Sequence, residues 1–287
     1  MRWTSGDRSN VEDYRGRRMG GRGMSVGLGG FVVLLLLSWA TGTNFLSLLD
    51  STGDVSNDTA GSSGSVASSP AEEQQVDFVD AVMKDIQDTW SGLLASRYSR
   101  TSVVLFRDAI QSGCGLGESA TGPFYCPQDS RVYLDLGFFQ ELSERFGAPG
   151  DFARAYVIAH EVGHHVQRLT GIEARVRAAQ GNDPRAVNPL SVRLELQADC
   201  FAGVWGHTAS QQGRSARGQV ELEPGDVEEG LQAAASIGDD RLQRMSGGRV
   251  APERFTHGTS AQRVEWFRRG LTSGQPDACD TFAGNTQ

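Results

Sequence analysis

Large apolar residues are unevenly spaced along the 287-residue chain, and their spacing divides it into four parts. Residues 1–25 are polar and basic, 26–49 carry no charged residue, and 50–75 are rich in Ser, Gly, Thr, Ala and Asp. Beyond Val76 the pattern becomes that of a folded domain, 76–287. Val76, Phe78, Val79, Val82, Met83, Ile86 and Leu93 recur mostly at three- and four-residue steps, which predicts a helix to Leu94 with one buried face. Val103–Phe106 is a short β-branched and aromatic run, and Arg131–Asp135 reads as a strand beyond a loop rich in Gly and Cys. Phe138–Phe146 predicts a short helix closed by Gly147 and Pro149. Asp151 can cap the next helix, which runs to Thr170 and stops at Gly171. Asn188-Pro189 opens another, to Gln211, and further helices are predicted at 224–245 and 260–271. The interval 172–187 is read as a loop long enough to act as a lid. Few strands and several helices give an α+β fold, mainly helical, with a small sheet.

The uncharged stretch 26–49 is long enough to cross a bilayer, which takes roughly 20 helical residues. Arg2, Arg8, Arg15, Arg17, Arg18 and Arg22 precede it. They predict a single-pass anchor with a cytoplasmic N-terminus and an extracytoplasmic domain. A cleaved signal sequence is the rival, with Ser38-Trp39-Ala40 as its cleavage site. Residues 50–75 read as a disordered linker, because such a composition cannot offset its ordering entropy. Export places Cys114, Cys126, Cys200 and Cys279 in an oxidising compartment. The short spacing of Cys114 and Cys126 suggests a local disulfide, leaving Cys200 with Cys279. Lys and Arg total 27 against 35 Asp and Glu, a net charge of −8. Without a basic stripe in the second half, nucleic acid is excluded as a partner. The acidity is read as a solubility feature.

The chemistry is carried by His160-Glu161-Val162-Gly163-His164, an H-E-x-x-H sequence. Residues four apart on a helix share a face, so two imidazoles can meet one Zn²⁺. Glu161 lies at the rim of that face, placed to take a proton from water at the metal. A histidine third ligand of the metzincin kind would sit at 170, where this chain has Thr170, with Gln167 in place of the accompanying glycine. Glu195-Leu196-Gln197-Ala198-Asp199 instead offers Glu195 as third ligand, with Asp199 one turn on to accept the far N–H of a ligating histidine. His257, in the turn Thr256–Thr259, is a candidate donor to the oxyanion of peptide hydrolysis, and Tyr133 is a weaker one. His165 turns roughly 140° from His160 and is expected in a second layer or exposed. His207 lies too far along its helix to share the metal.

These residues resemble those of the bacterial neutral zinc metallopeptidases of the YpfJ type and, more distantly, the gluzincins, including the HtpX-type membrane proteases. The resemblance spans about residues 100–280. It rests on Gly122–Pro127, Val132–Asp135, Ala159–Gln167, Glu195–Trp205 and Thr256–Ser260. It implies a zincin-like domain with an N-terminal anchor and a peptidase of the H-E-x-x-H plus glutamate class. The interval between His164 and Glu195 is longer than in compact gluzincins, which leaves the intervening geometry open. The expected substrate is a protein or peptide, met by the strand 131–135 at the cleft edge. Two other activities fit the same ligands: a non-catalytic zinc-stabilised surface domain, or a zinc amidase acting on cell-wall peptides.

Overall fold

The computed structural model describes residues 1–16, 68–247 and 249–283. The first element, strand β1 (Val11–Asp13), arises from a segment whose composition gave no strand signal. Helix α1 (Pro70–Leu94) begins six residues before the predicted boundary at Val76. The Ser69 side chain caps it by accepting from Glu72 N, and Pro70 occupies the first turn, where a missing N–H costs nothing. That polar first turn has the composition of a linker, so apolar spacing alone sets the boundary too late.

Strand β2 (Ser102–Phe106) precedes a hairpin of β3 (Ala109–Ser112) and β4 (Gly115–Glu118). Then come β5 (Phe124–Cys126) and β6 (Arg131–Asp135). The main sheet has the order β1-β2-β6-β5, with β1, β2 and β6 parallel and β5 antiparallel to β6. The strand 131–135 is therefore interior rather than at the edge, and the edge position belongs to β5.

Six helices follow: α2 (Gly137–Glu144), α3 (Asp151–Leu169), α4 (Ile172–Asn182), α5 (Val187–Ala209), α6 (Asp226–Ser236) and α7 (Asp239–Met245). The last is α8 (Ser260–Ser273), opened by a capping box between Thr259 and Gln262. Most of the interval read as a loop, 172–187, is helix α4, followed by a single 3₁₀ turn at Pro184–Ala186. The helix expected over 224–245 is broken into α6 and α7 around Gly238. Gly171, at φ 72°, ends α3 in the left-handed conformation expected of it.

The core lies between α1, the sheet and the pair α3–α5. Trp90 meets Phe201 edge-on at 5.2 Å, and Phe152 stacks on Trp205 at 5.6 Å. Helices α5 and α8 touch backbone to backbone, since a Cβ on Gly270 would lie 1.9 Å from the Cys200 carbonyl oxygen. Both expected disulfides are present. Cys114–Cys126 ties the hairpin to β5, and Cys200–Cys279 ties the C-terminal segment to α5.

The expected separation of residues 1–25 from the domain does not hold over Met1–Arg15, and residues 17–25 lie outside the described residues. Met1–Arg15 forms one compact unit with Ser68–Gln287. Strand β1 pairs with β2 in the register Val11–Val103, Glu12–Val104 and Asp13–Leu105. The predicted span 26–49 and most of the linker lie outside the described residues. Among the described residues no helix is long and apolar enough to cross a membrane.

Asn10, buried, gives its side-chain N–H to Asp80 at 2.9 Å and accepts from Gln87 at 2.8 Å. Asn10→Ala leaves both partners short of a bond in a buried site and is expected to cost about 1–3 kcal/mol. Urea denaturation measures this loss, with zinc stoichiometry unchanged.

Candidate metal centre

Helices α3 and α5 cross where Gly163 faces Ala198. A Cβ on Gly163 would sit 3.0 Å from both the Cα and the carbonyl oxygen of Ala198. The glycine inside H-E-x-x-H therefore lets the second helix approach closely enough for Glu195 to reach the histidines. His160 Nε2 lies 3.1 Å from Glu195 Oε2, and His164 Nε2 lies 3.5 Å from Glu195 Oε1. The three ligand atoms fall within 4.8 Å of one another. Tetrahedral zinc with bonds near 2.0–2.1 Å separates its ligand atoms by roughly 3.3 Å, so the donor set and its spacing fit zinc. The ligands and base expected from the sequence are thus gathered on two helices.

Each histidine is held in the tautomer a metal requires. The Nδ1–H of His160 donates to Asp199 Oδ1 at 2.8 Å, as expected, and leaves Nε2 to face Glu195. For His164 the partner is Gln167, one turn further along α3, whose Oε1 lies 2.9 Å from Nδ1. The Gln167 amide is oriented by its own donor bonds to the Leu194 carbonyl at 2.7 Å and to Gln197 Oε1 at 3.2 Å. Gln197 in turn donates to the Cys279 carbonyl at 2.9 Å, carrying the chain of bonds to the disulfide-tied C-terminal segment.

Asp199 is fully buried and occupied on both oxygens. Arg263 of α8 donates to it through Nε and Nη2, each at 2.8 Å, and the Tyr156 hydroxyl donates to the same carboxylate. Burial alone would raise the Asp199 pKa, but Arg263 and His160 outweigh it and hold the carboxyl below its ordinary value. In the metal-free site burial opposes the charging of His160, yet Asp199 and Glu195 lift it to about 10. Glu195 lies below the usual carboxylate range, since His164 and His160 overcome its desolvation. Glu161 moves the other way: its burial is only partly offset by the two histidines, and its pKa is raised.

The site opens on a cleft of about 830 Å³ lined by Glu161, His164, Glu195, His257 and Arg263. One wall is apolar, with Phe138, Phe146, Val157, Ile237 and Met245, while Glu173, Arg177 and Gln180 of α4 also border it. Phe124 and Tyr125 of the edge strand β5 complete the rim.

His257 is half exposed at this rim. Asp239 accepts from its backbone N–H at 2.6 Å and lies 3.2 Å from its Nδ1. That bond raises the His257 pKa against the opposing effect of burial. Tyr133 takes no part, because its hydroxyl donates to Asp129 at 2.7 Å and its ring stacks on Phe124. His165 points away from the metal ligands and is buried. Its Nε2–H donates to the Ser99 carbonyl at 2.7 Å, so Nδ1 accepts from the Tyr125 hydroxyl at 2.9 Å. His207 bonds the Leu271 carbonyl at 2.8 Å and serves the α5–α8 packing.

Arg263 and Gln167 were not found as site residues by reading the sequence. A signal for each existed: Arg263 lies on the buried stripe with Phe267 and Gly270, and Gln167 is three residues past His164. A second acidic group, Asp151, Asp226 and Glu229, also converges. The Met1 ammonium lies 3.2 Å from Asp151 and from Asp226, and Glu229 accepts from the Phe152 amide.

The family described as "Putative neutral zinc metallopeptidase" matches residues 1–282. The chain belongs to this family. It is 47% identical over 294 aligned residues to the uncharacterised protein YpfJ of Escherichia coli K12, covering 98% of this chain and 99% of that protein. An uncharacterised protein of Mycobacterium tuberculosis is 46% identical over 209 residues, covering 71% of this chain and 70% of its own length. No solved structure matches.

Gln167→Ala removes the group that fixes His164 and is expected to weaken zinc binding about 10–100-fold. Competition with a chromophoric chelator measures it. Affinity equal to wild type would show that the Gln167 bond has no role in orienting the ligand.

Proposed function

We propose that this family member is a zinc-dependent endopeptidase that cleaves protein or peptide substrates in an oxidising, extracytoplasmic compartment. The observation that carries the proposal is the convergence of His160, His164 and Glu195 at the floor of an open cleft, with Glu161 on the same helix lining that cleft. The two disulfides support the choice of compartment.

When bound, zinc supplies a Lewis acid that polarises the scissile carbonyl and brings the pKa of a coordinated water toward neutrality. Glu161 takes the proton of the attacking water and delivers it to the leaving amine. A structural or binding domain has no use for a buried carboxylate at this position. His257, held from behind by Asp239, donates to the oxygen that gains negative charge. Arg263 and Asp199 keep the His160 ring in place throughout.

The substrate backbone lies extended along β5, whose pairing among the described residues is with β6 alone. A strand with one open edge and its end at the cleft offers main-chain donors and acceptors to a peptide. The bond from Tyr125 to His165 fastens that edge to α3.

The test compares wild type with Glu161→Gln. Both are expected to bind one zinc, and only wild type should cleave unfolded casein, with loss of at least about 100-fold in the variant. Equal cleavage by the two proteins would remove Glu161 from the mechanism. Zinc retention with cleavage by neither would favour a non-catalytic zinc domain. His257→Ala is expected to lower kcat by about 10²–10³ with little change in KM, measured on a fluorogenic peptide.

A further inference from the structure

We infer that Met1–Arg15 and the metal domain lie on the same side of the membrane, because the domain carries a built seat for this segment. The inference does not depend on the peptidase reading. The seat is formed by α1 and the outer edge of β2, and its specificity comes from buried polar groups. Asp80 has no exposed surface, and the hydrogen bonds it accepts come from Arg8 N at 3.1 Å, Asn10 N at 3.1 Å and Asn10 Nδ2 at 2.9 Å. Gln87, equally buried, donates to Asn10 Oδ1 at 2.8 Å while its own oxygen accepts from the Thr101 amide at 2.7 Å. With the segment removed, the Asp80 carboxylate and the Gln87 amide N–H would lose these partners. Burial of such groups is tolerated only when they are bonded.

The backbone is engaged as well. Val103 N donates to Asn10 O at 2.9 Å and Tyr14 N to Leu105 O at 2.8 Å, at the two ends of the β1–β2 ladder. Two of the arginines that the sequence pattern assigns to a cytoplasmic flank are instead consumed by the fold. Arg8 binds Asp77 at 2.6 Å and Glu73 at 2.5 Å. Arg15, buried, binds Glu73 at 2.8 Å and Glu72 at 3.2 Å, both in the first turn of α1. A count of positive charge before an apolar run cannot separate arginines that face lipid headgroups from arginines that dock on their own domain.

This seat conflicts with both arrangements expected from the sequence. One crossing of the bilayer between residues 26 and 49 would put Met1–Arg15 and the domain on opposite faces, across about 30 Å of hydrocarbon. Backbone bonds of 2.8–2.9 Å do not form across that distance. Cleavage after Ala40 would instead release the segment and leave Asp80 and Gln87 without the partners described above. With β1 in its seat, the segment and the domain share one compartment.

Two variants of the full chain, Ser5→Cys and Thr272→Cys, each adding one thiol to the four disulfide-bonded cysteines, test this in bacterial spheroplasts, with the wild-type chain as the labelling background. Both positions are exposed, one on the N-terminal segment and one on α8. Each is treated with a membrane-impermeant maleimide before and after permeabilisation. The expected result is one pattern for both: labelled before permeabilisation, or labelled only after it. One position labelled in intact spheroplasts and the other protected would overturn the inference. Hydrogen exchange on the purified wild-type chain supplies an independent measurement that needs no variant. The amides of Val103 and Tyr14 are expected to exchange about 100-fold or more slowly than in an unstructured peptide. Exchange of Tyr14 and Val103 at unstructured rates would equally refute the docked strand.

Discussion

A carboxylate without access to water must have its oxygens occupied by donors, and Asp199 on α5 meets this requirement from two other helices at once. His160 and Tyr156 reach it from α3, Arg263 reaches it from α8, and Asp199 itself stands on α5. Removing Arg263 would leave the Asp199 charge unpaired in the core, where the loss of one partner of such a pair costs about 3–5 kcal/mol. The arrangement fixes the His160 ring and brings α8 against the metal helices. Its contribution is better seen as geometric than as a source of net stability, because the desolvation of Asp199 and Arg263 consumes most of their mutual attraction.

Two close helix contacts make that carboxylate possible. Gly163 lets α5 approach α3, and Gly270 lets α8 approach α5. On the far side of the site, Gln167 and Gln197 carry the support of His164 to the Cys279 carbonyl. The disulfide at Cys200 and Cys279 therefore restrains a segment that the second histidine depends on through two amides. The two ligating histidines, four residues apart, are backed by different materials: a buried ion pair for one and a run of neutral amides for the other.

Much of the centre could be read in the sequence because its ligands obey helical spacing. His160 with His164 and Glu195 with Asp199 are each one turn apart, and that spacing survives any uncertainty about the loop between them. The cysteine pairing followed from order along the chain. Arg263 was harder to read, because an arginine in a run containing Gln262, Glu265, Arg268 and Arg269 looks solvated until its helix is placed. Strand β1 was hidden for a related reason. It is a three-residue edge strand, polar at two of its positions, and the buried groups that hold the residues just before it, Asp80 and Gln87, are far away in the sequence. Local pattern shows which residues share a face, but not which face becomes a receptor for a distant segment.

The proposed chemistry requires that two imidazoles and one carboxylate meet a single ion. X-ray absorption at the zinc edge of the metal-loaded full chain tests this most directly. The expected spectrum has one zinc per chain, nitrogen and oxygen neighbours at about 2.0–2.1 Å and the outer-shell scattering of two imidazoles. A sulfur neighbour near 2.3 Å, or fewer than two imidazoles, would contradict it.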